Sequence, residues 1–79
     1  MSDELVAELD QLQAAYKAAV EAWIAAIKEE EALVSIAPQS IEDLDKWEDA
    51  HFREDDARNK VIEAKQQVED SLREKFFKF

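Results

Sequence analysis

Apolar positions in the first third of the chain fall at alternating steps of four and three: Leu5, Leu9, Leu12, Tyr16, Ala19, Trp23 and Ala26. This spacing keeps the side chains on one face of an α-helix and is the heptad stripe of packed helices. Val6, Val20, Ile24, Ile27 and Val34 widen the stripe on one side. Ser2 can cap such a helix, and Asp3 and Glu4 suit the positive end of its dipole. The pattern predicts a helix over about residues 3–35.

A second stripe, Trp47, Ala50, Ala57, Val61, Ala64, Val68 and Leu72, predicts another helix over about residues 41–76. The break between them is Ser-Ile-Ala-Pro-Gln-Ser, with the turn at 36–40. Ala37 precedes Pro38 and is pushed out of helical geometry, and Ser40 followed by Asp43 is a variant capping box that restarts the helix. Each helix is about 50 Å long, and a connection this short makes them antiparallel neighbours. Small residues recur at every seventh position, as Ala18, Ala25 and Ala32 in the first helix and Ala50, Ala57, Ala64 and Ser71 in the second. Side chains of that size let two helix axes approach closely.

Composition narrows the class. Glycine is absent, so tight turns between strands lack their usual residue, while alanine, leucine, glutamate, lysine and glutamine favour helix. The expectation is an all-α chain forming one helical-hairpin domain over residues 1–79. With no cysteine there is neither a disulfide nor a thiolate metal site to staple it. Lys17, Glu21 and Lys28 interrupt the most apolar region, and the first residues lack the pattern of a signal peptide, so a cytoplasmic protein is expected. Two helices alone bury one face each, and a core that small rarely stabilises itself. The surplus apolar flank of the first helix therefore predicts a homodimer closing into a four-helix bundle.

A net charge of −10 disfavours nucleic acid and anionic membranes as direct ligands and leaves a basic protein as a possible partner beyond a second copy. It also raises a second reading, an acidic DNA-mimic-type inhibitor of a nucleic-acid-binding protein. Against this stand five acids placed four residues before a base: Glu42–Lys46, Asp49–Arg53, Glu54–Arg58, Asp56–Lys60 and Glu69–Arg73. Such pairs neutralise carboxylates that a decoy would leave open, and they read as a solvated helix face.

Candidate chemistry centres on WEDAHFREDDAR, residues 47–58, which holds the single histidine. Glu48 and His51 have the Glu-x-x-His spacing of carboxylate-bridged metal sites in helical bundles, and Glu30 would supply a ligand from the first helix, a third reading. At about 100° per residue, His51 lies about 80° and Glu48 about 140° from the seam, which turns Glu48 to water. A shared di-metal site would also need both turns of a dimer at one end. Metal ligation and cofactors are accordingly not expected.

Glu54, about 20° from the seam, is the inward polar residue, with His51 and Arg58 one turn to either side. These three are expected to form a polar layer fixing register in a dimer, or else Glu54 pairs locally with Arg58. Glu30 is expected to accept from the Trp47 indole. Phe52, opposite the seam, and the terminal Phe76, Phe77 and Phe79 are the candidate interaction aromatics, the last three alternatively capping the bundle. No nucleophile–base pair or phosphate loop is present, so an enzyme is not expected. The function expected is that of a small non-enzymatic interaction or adaptor protein acting as a homodimer.

Overall fold

The structure, a computed structural model, describes residues 3–77, with side chains as far as Lys75. Two α-helices of equal length, α1 (Asp3–Val34) and α2 (Ile41–Leu72), lie side by side as an antiparallel hairpin. The final turn of the second helix widens into a π-helical turn, Arg73–Phe77. The molecule measures 59 × 19 × 14 Å, and its radius of gyration is 17.7 Å. A compact domain of this length would have a radius near 12 Å. The hairpin is a rod.

Local chemistry accounts for the break. At the end of α1, Ser35 donates from both its N–H (3.0 Å) and its hydroxyl (2.6 Å) to the Glu31 carbonyl. Ile36 N–H then turns to the Leu33 carbonyl at 3.3 Å, a three-residue closure that tightens the last turn. Pro38 prevents the helix from resuming at once. Ser40 is fully extended (φ −157°, ψ 168°) and its hydroxyl accepts from the Asp43 N–H at 3.2 Å, capping α2. The Asp43 carboxylate reaches back one residue farther than in a standard capping box, accepting from the Gln39 N–H at 2.9 Å.

The interior is thin. Among the described residues only Ala50, Val61 and Ser71 are buried, all on α2 and none on α1. Leu5, Leu9, Leu12, Tyr16, Ala19, Trp23, Ala26 and Leu33 of α1 face the seam but stay half-exposed. Opposite them run Trp47, Glu54, Val61 and Val68 alternating with Ala50, Ala57, Ala64 and Ser71. The small residues form a flat line against which α1 lies, and Ala50, at the end nearest the turn, is 1% exposed. Within this line the Ser71 hydroxyl is buried without a hydrogen-bond partner.

The two long sides of the rod differ. One carries Ala19, Ala22, Ala25, Ala26 and Ala57 in a shallow groove edged by Glu29, Arg53, Asp56 and Lys60. The other carries Ile27 and Val34 beside Glu30, Glu31 and Glu54 near the turn, and Gln13, Tyr16, Lys65, Val68 and Glu69 farther along. Val6, Val20, Ile27 and Val34 stand at multiples of seven on this second side, with Ile24 just beyond them. Leu44 and Ile62 flank it from α2. Six of these branched side chains, Val6, Ile24, Ile27, Val34, Leu44 and Ile62, are exposed by 40% or more. Among the described residues no helix is long and apolar enough to cross a membrane.

Candidate functional site

Two features of the surface could serve a function: the uncovered apolar side and a polar cluster that opens onto it. The cluster consists of Glu30 from α1 with His51 and Glu54 from α2. One ligand-capable atom of each lies within 4.8 Å of the other two. His51 Nδ1 is 3.7 Å from Glu30 Oε1, and the indole N–H of Trp23 donates to Glu54 Oε1 at 2.7 Å. Glu30 and Glu54 occupy seam positions and are half-buried, whereas the His51 ring is mostly exposed.

The heptad places these groups. Glu30 follows Tyr16 and Trp23 at steps of seven, and Glu54 sits between Trp47 and Val61 in the equivalent row of α2. Each is a carboxylate where the repeat calls for an apolar residue. His51 lies one position past Ala50, which turns it toward the apolar side. Glu48 is exposed and is not one of the three, as its direction away from the seam requires. The spacing that joins the two α2 members is His51-x-x-Glu54, the reverse of the Glu48-x-x-His51 motif that drew attention to the segment.

Several expected pairings are replaced. Trp23, not Trp47, is the indole that meets a carboxylate, and it meets Glu54, not Glu30. Counted back from the turn, Trp23 lies level with residue 53 or 54, so its indole meets Glu54 directly across the seam. Arg58 pairs with Asp55 instead of Glu54, because Glu54 is turned into the seam and Asp55 is the acid left beside it at three-residue spacing. Of the five acid-to-base pairs expected along α2, Asp56–Lys60 forms as an ion pair, at 3.3 Å. Arg53 reaches across to Glu29 (3.7 Å) while its Nε–H donates to the Asp49 carbonyl (3.4 Å). Arg73 turns to Asp70 (3.7 Å), and Lys65 approaches Glu69 at 4.0 Å. Cross-helix partners compete with the intrahelical ones, and exposed pairs of either kind are worth only about 0–1 kcal/mol.

At the open end of the rod Lys75 pairs with Glu8, tying the π-helical turn to α1. Phe52 is largely exposed, with its ring 6.0 Å from the His51 ring at an interplanar angle of 53°. The side chains of Phe76 and Phe77, and all of Phe79, lie outside the described residues. Ile36 and Ile41 are exposed at the turn, where Leu33, Ile36, Ala37, Pro38, Asp43, Lys46 and Trp47 outline a small hollow.

Sequence reasoning grouped His51 with Glu30 and Glu48 as candidate ligands and with Glu54 and Arg58 as a polar layer, but did not join Glu30, His51 and Glu54. Their convergence had a usable signal in the sequence: two carboxylates interrupting the apolar rows of two helices joined by one short turn. No known protein family matches the chain, and neither a curated protein nor a solved structure resembles it.

Proposed function

We propose that the chain is a non-enzymatic interaction module whose first partner is a second copy of itself, two hairpins packing their apolar sides together as a four-helix bundle. The observation that carries this reading is the mismatch between the apolar residues the fold possesses and those it buries. Only Ala50 and Val61 are buried hydrophobic residues among those described, while Val6, Ile24, Ile27, Val34, Leu44 and Ile62 line one side at 40–58% exposure. A hairpin this thin supplies little stabilisation of its own.

The size of the uncovered side fits the occupant. Val6 to Val34 spans about 42 Å by helical rise, and two helices side by side are about 18 Å across. That footprint is roughly 750 Å² per chain, near the 800 Å² per partner of a standard specific interface. A copy of the same surface is equally apolar and equally long. The alanine side, edged by the Glu29–Arg53 pair and by Asp56 and Lys60, stays toward solvent in this arrangement.

Sedimentation equilibrium on the intact chain tests the reading. The expected mass is twice the 9.1 kDa of one chain, falling to the single-chain value in the Ile24→Glu/Ile62→Glu variant. A wild-type chain that is fully helical and monomeric at high micromolar concentration overturns it.

A further inference from the structure

The geometry points to a binding site for one borderline divalent transition-metal ion, of the Zn2+ class, held by Glu30, His51 and Glu54 within a single chain. The donor set is one imidazole and two carboxylates drawn from both helices. Mixed nitrogen and oxygen ligation of this kind suits Zn2+ and its neighbours, while Mg2+ and Ca2+ prefer oxygen alone.

Three further features ask for a cation here. First, Glu30 and Glu54 are half-buried in the seam, and neither has a lysine or arginine within ion-pair distance among the described residues. The two arginines that could have served are committed elsewhere, Arg53 to Glu29 and Arg58 to Asp55. Two carboxylates this close repel, and removing them from water adds to the cost unless a positive charge joins them. Second, Glu29, Glu30 and Glu31 stand near the C-terminus of α1, and its last turn holds no base. The negative end of the helix dipole therefore adds to the same field. Third, Trp23 holds Glu54 by one oxygen only, at 2.7 Å. That hydrogen bond fixes the carboxylate and leaves its other oxygen available, the arrangement by which outer groups orient a ligand.

The donor atoms are within 4.8 Å of one another, and a tetrahedral ion with bonds of about 2.0–2.2 Å draws its ligands to roughly 3–3.5 Å. Closing the difference requires rotation of the side chains, with His51, the most exposed of the three, the freest to move. Three protein ligands leave a fourth position for a water molecule. The site needs no second chain, so it stands or falls apart from the dimer.

Calorimetric titration with ZnCl2 in a non-coordinating buffer, at near-neutral pH, tests the assignment. The expected result is one ion per chain, weak or no competition from Mg2+, and a change in Trp23 emission in the Trp47→Phe background. His51→Ala and Glu54→Gln should each weaken Zn2+ at least tenfold, and Trp23→Phe about tenfold through the lost orientation. Glu48→Gln should bind within twofold of the wild type. Circular dichroism without metal verifies that each variant keeps its helix; if His51→Ala does not, His51→Gln replaces it. No saturable binding, equal displacement by Mg2+, or unchanged affinity in the His51 and Glu54 variants overturns the site and assigns any bound metal to the diffuse acidic surface. Retention of one-to-one binding in the Ile24→Glu/Ile62→Glu variant separates this outcome from that of self-association.

Discussion

The indole N–H of Trp23 donates to Oε1 of Glu54 across the seam, 31 residues apart in sequence and 2.7 Å in space. It is the one hydrogen bond between side chains of the two helices among those described, and it gives a charged group at a seam position its only neutral donor. Trp23→Phe keeps most of the ring and removes that donor. The expected cost is about 1–3 kcal/mol, since the carboxylate stays half-buried without its donor. Glu54→Leu in the same background should recover most of it, because replacing both partners by apolar groups is close to neutral. Thermal denaturation of the two single variants and the double variant measures the coupling. Additive effects would show that the hydrogen bond contributes nothing, and Glu54→Leu alone should preserve the helix content.

Ala50 is the most enclosed of the described residues, and a larger side chain has nowhere to go. Ala50→Leu would force α1 away from α2 over several turns, at about 1–3 kcal/mol for overpacking. The same change at the exposed Ala14, which has higher solvent access and no partner helix beside it, should be near neutral. Equal melting temperatures for Ala50→Leu and the wild type would rule out close approach of the helices along the alanine line.

Ser71 carries the opposite expectation. Its hydroxyl is buried with no partner, so Ser71→Ala removes an unmet polar group and improves helix propensity. A gain of about 1 kcal/mol corresponds to a rise in melting temperature of roughly 4–8 °C for a domain of this size. A lower melting temperature would mean that the hydroxyl is satisfied in solution.

Much of the fold was legible in the sequence because it rests on local rules. Pro38, the extended Ser40 cap and the two runs of heptad spacing each act within a few residues, and the structure places the helix ends where those residues stand. The all-helical hairpin follows from them. The cluster was less legible, since its geometry depends on how far α2 is slid along α1. Counting back from the turn sets Glu30 level with residue 46 or 47, yet its side chain meets His51. That offset of about one helical turn is the size of the lean and length of the side chains involved, which a count of backbone levels ignores. The competition for Arg53 and Arg58 was hidden for a related reason. Intrahelical pairs can be read from spacing, but cross-helix ones such as Glu29–Arg53 exist only after the two helices have been set side by side.

The flat line of Ala50, Ala57, Ala64 and Ser71 has a consequence for alignment. Every seven residues this line presents nearly the same surface, so by itself it is close to degenerate: a slide of one heptad, about 10.5 Å, would set one small residue where another had been. What lifts the degeneracy is the aperiodic part of the chain. The six-residue connection 35–40 limits the slide at one end, and the Glu8–Lys75 pair marks its place at the other. Between them Trp23–Glu54, Glu30–His51 and Glu29–Arg53 each occur once and match in one alignment only. The apolar residues hold the helices together, and the few polar contacts choose the frame in which they are held.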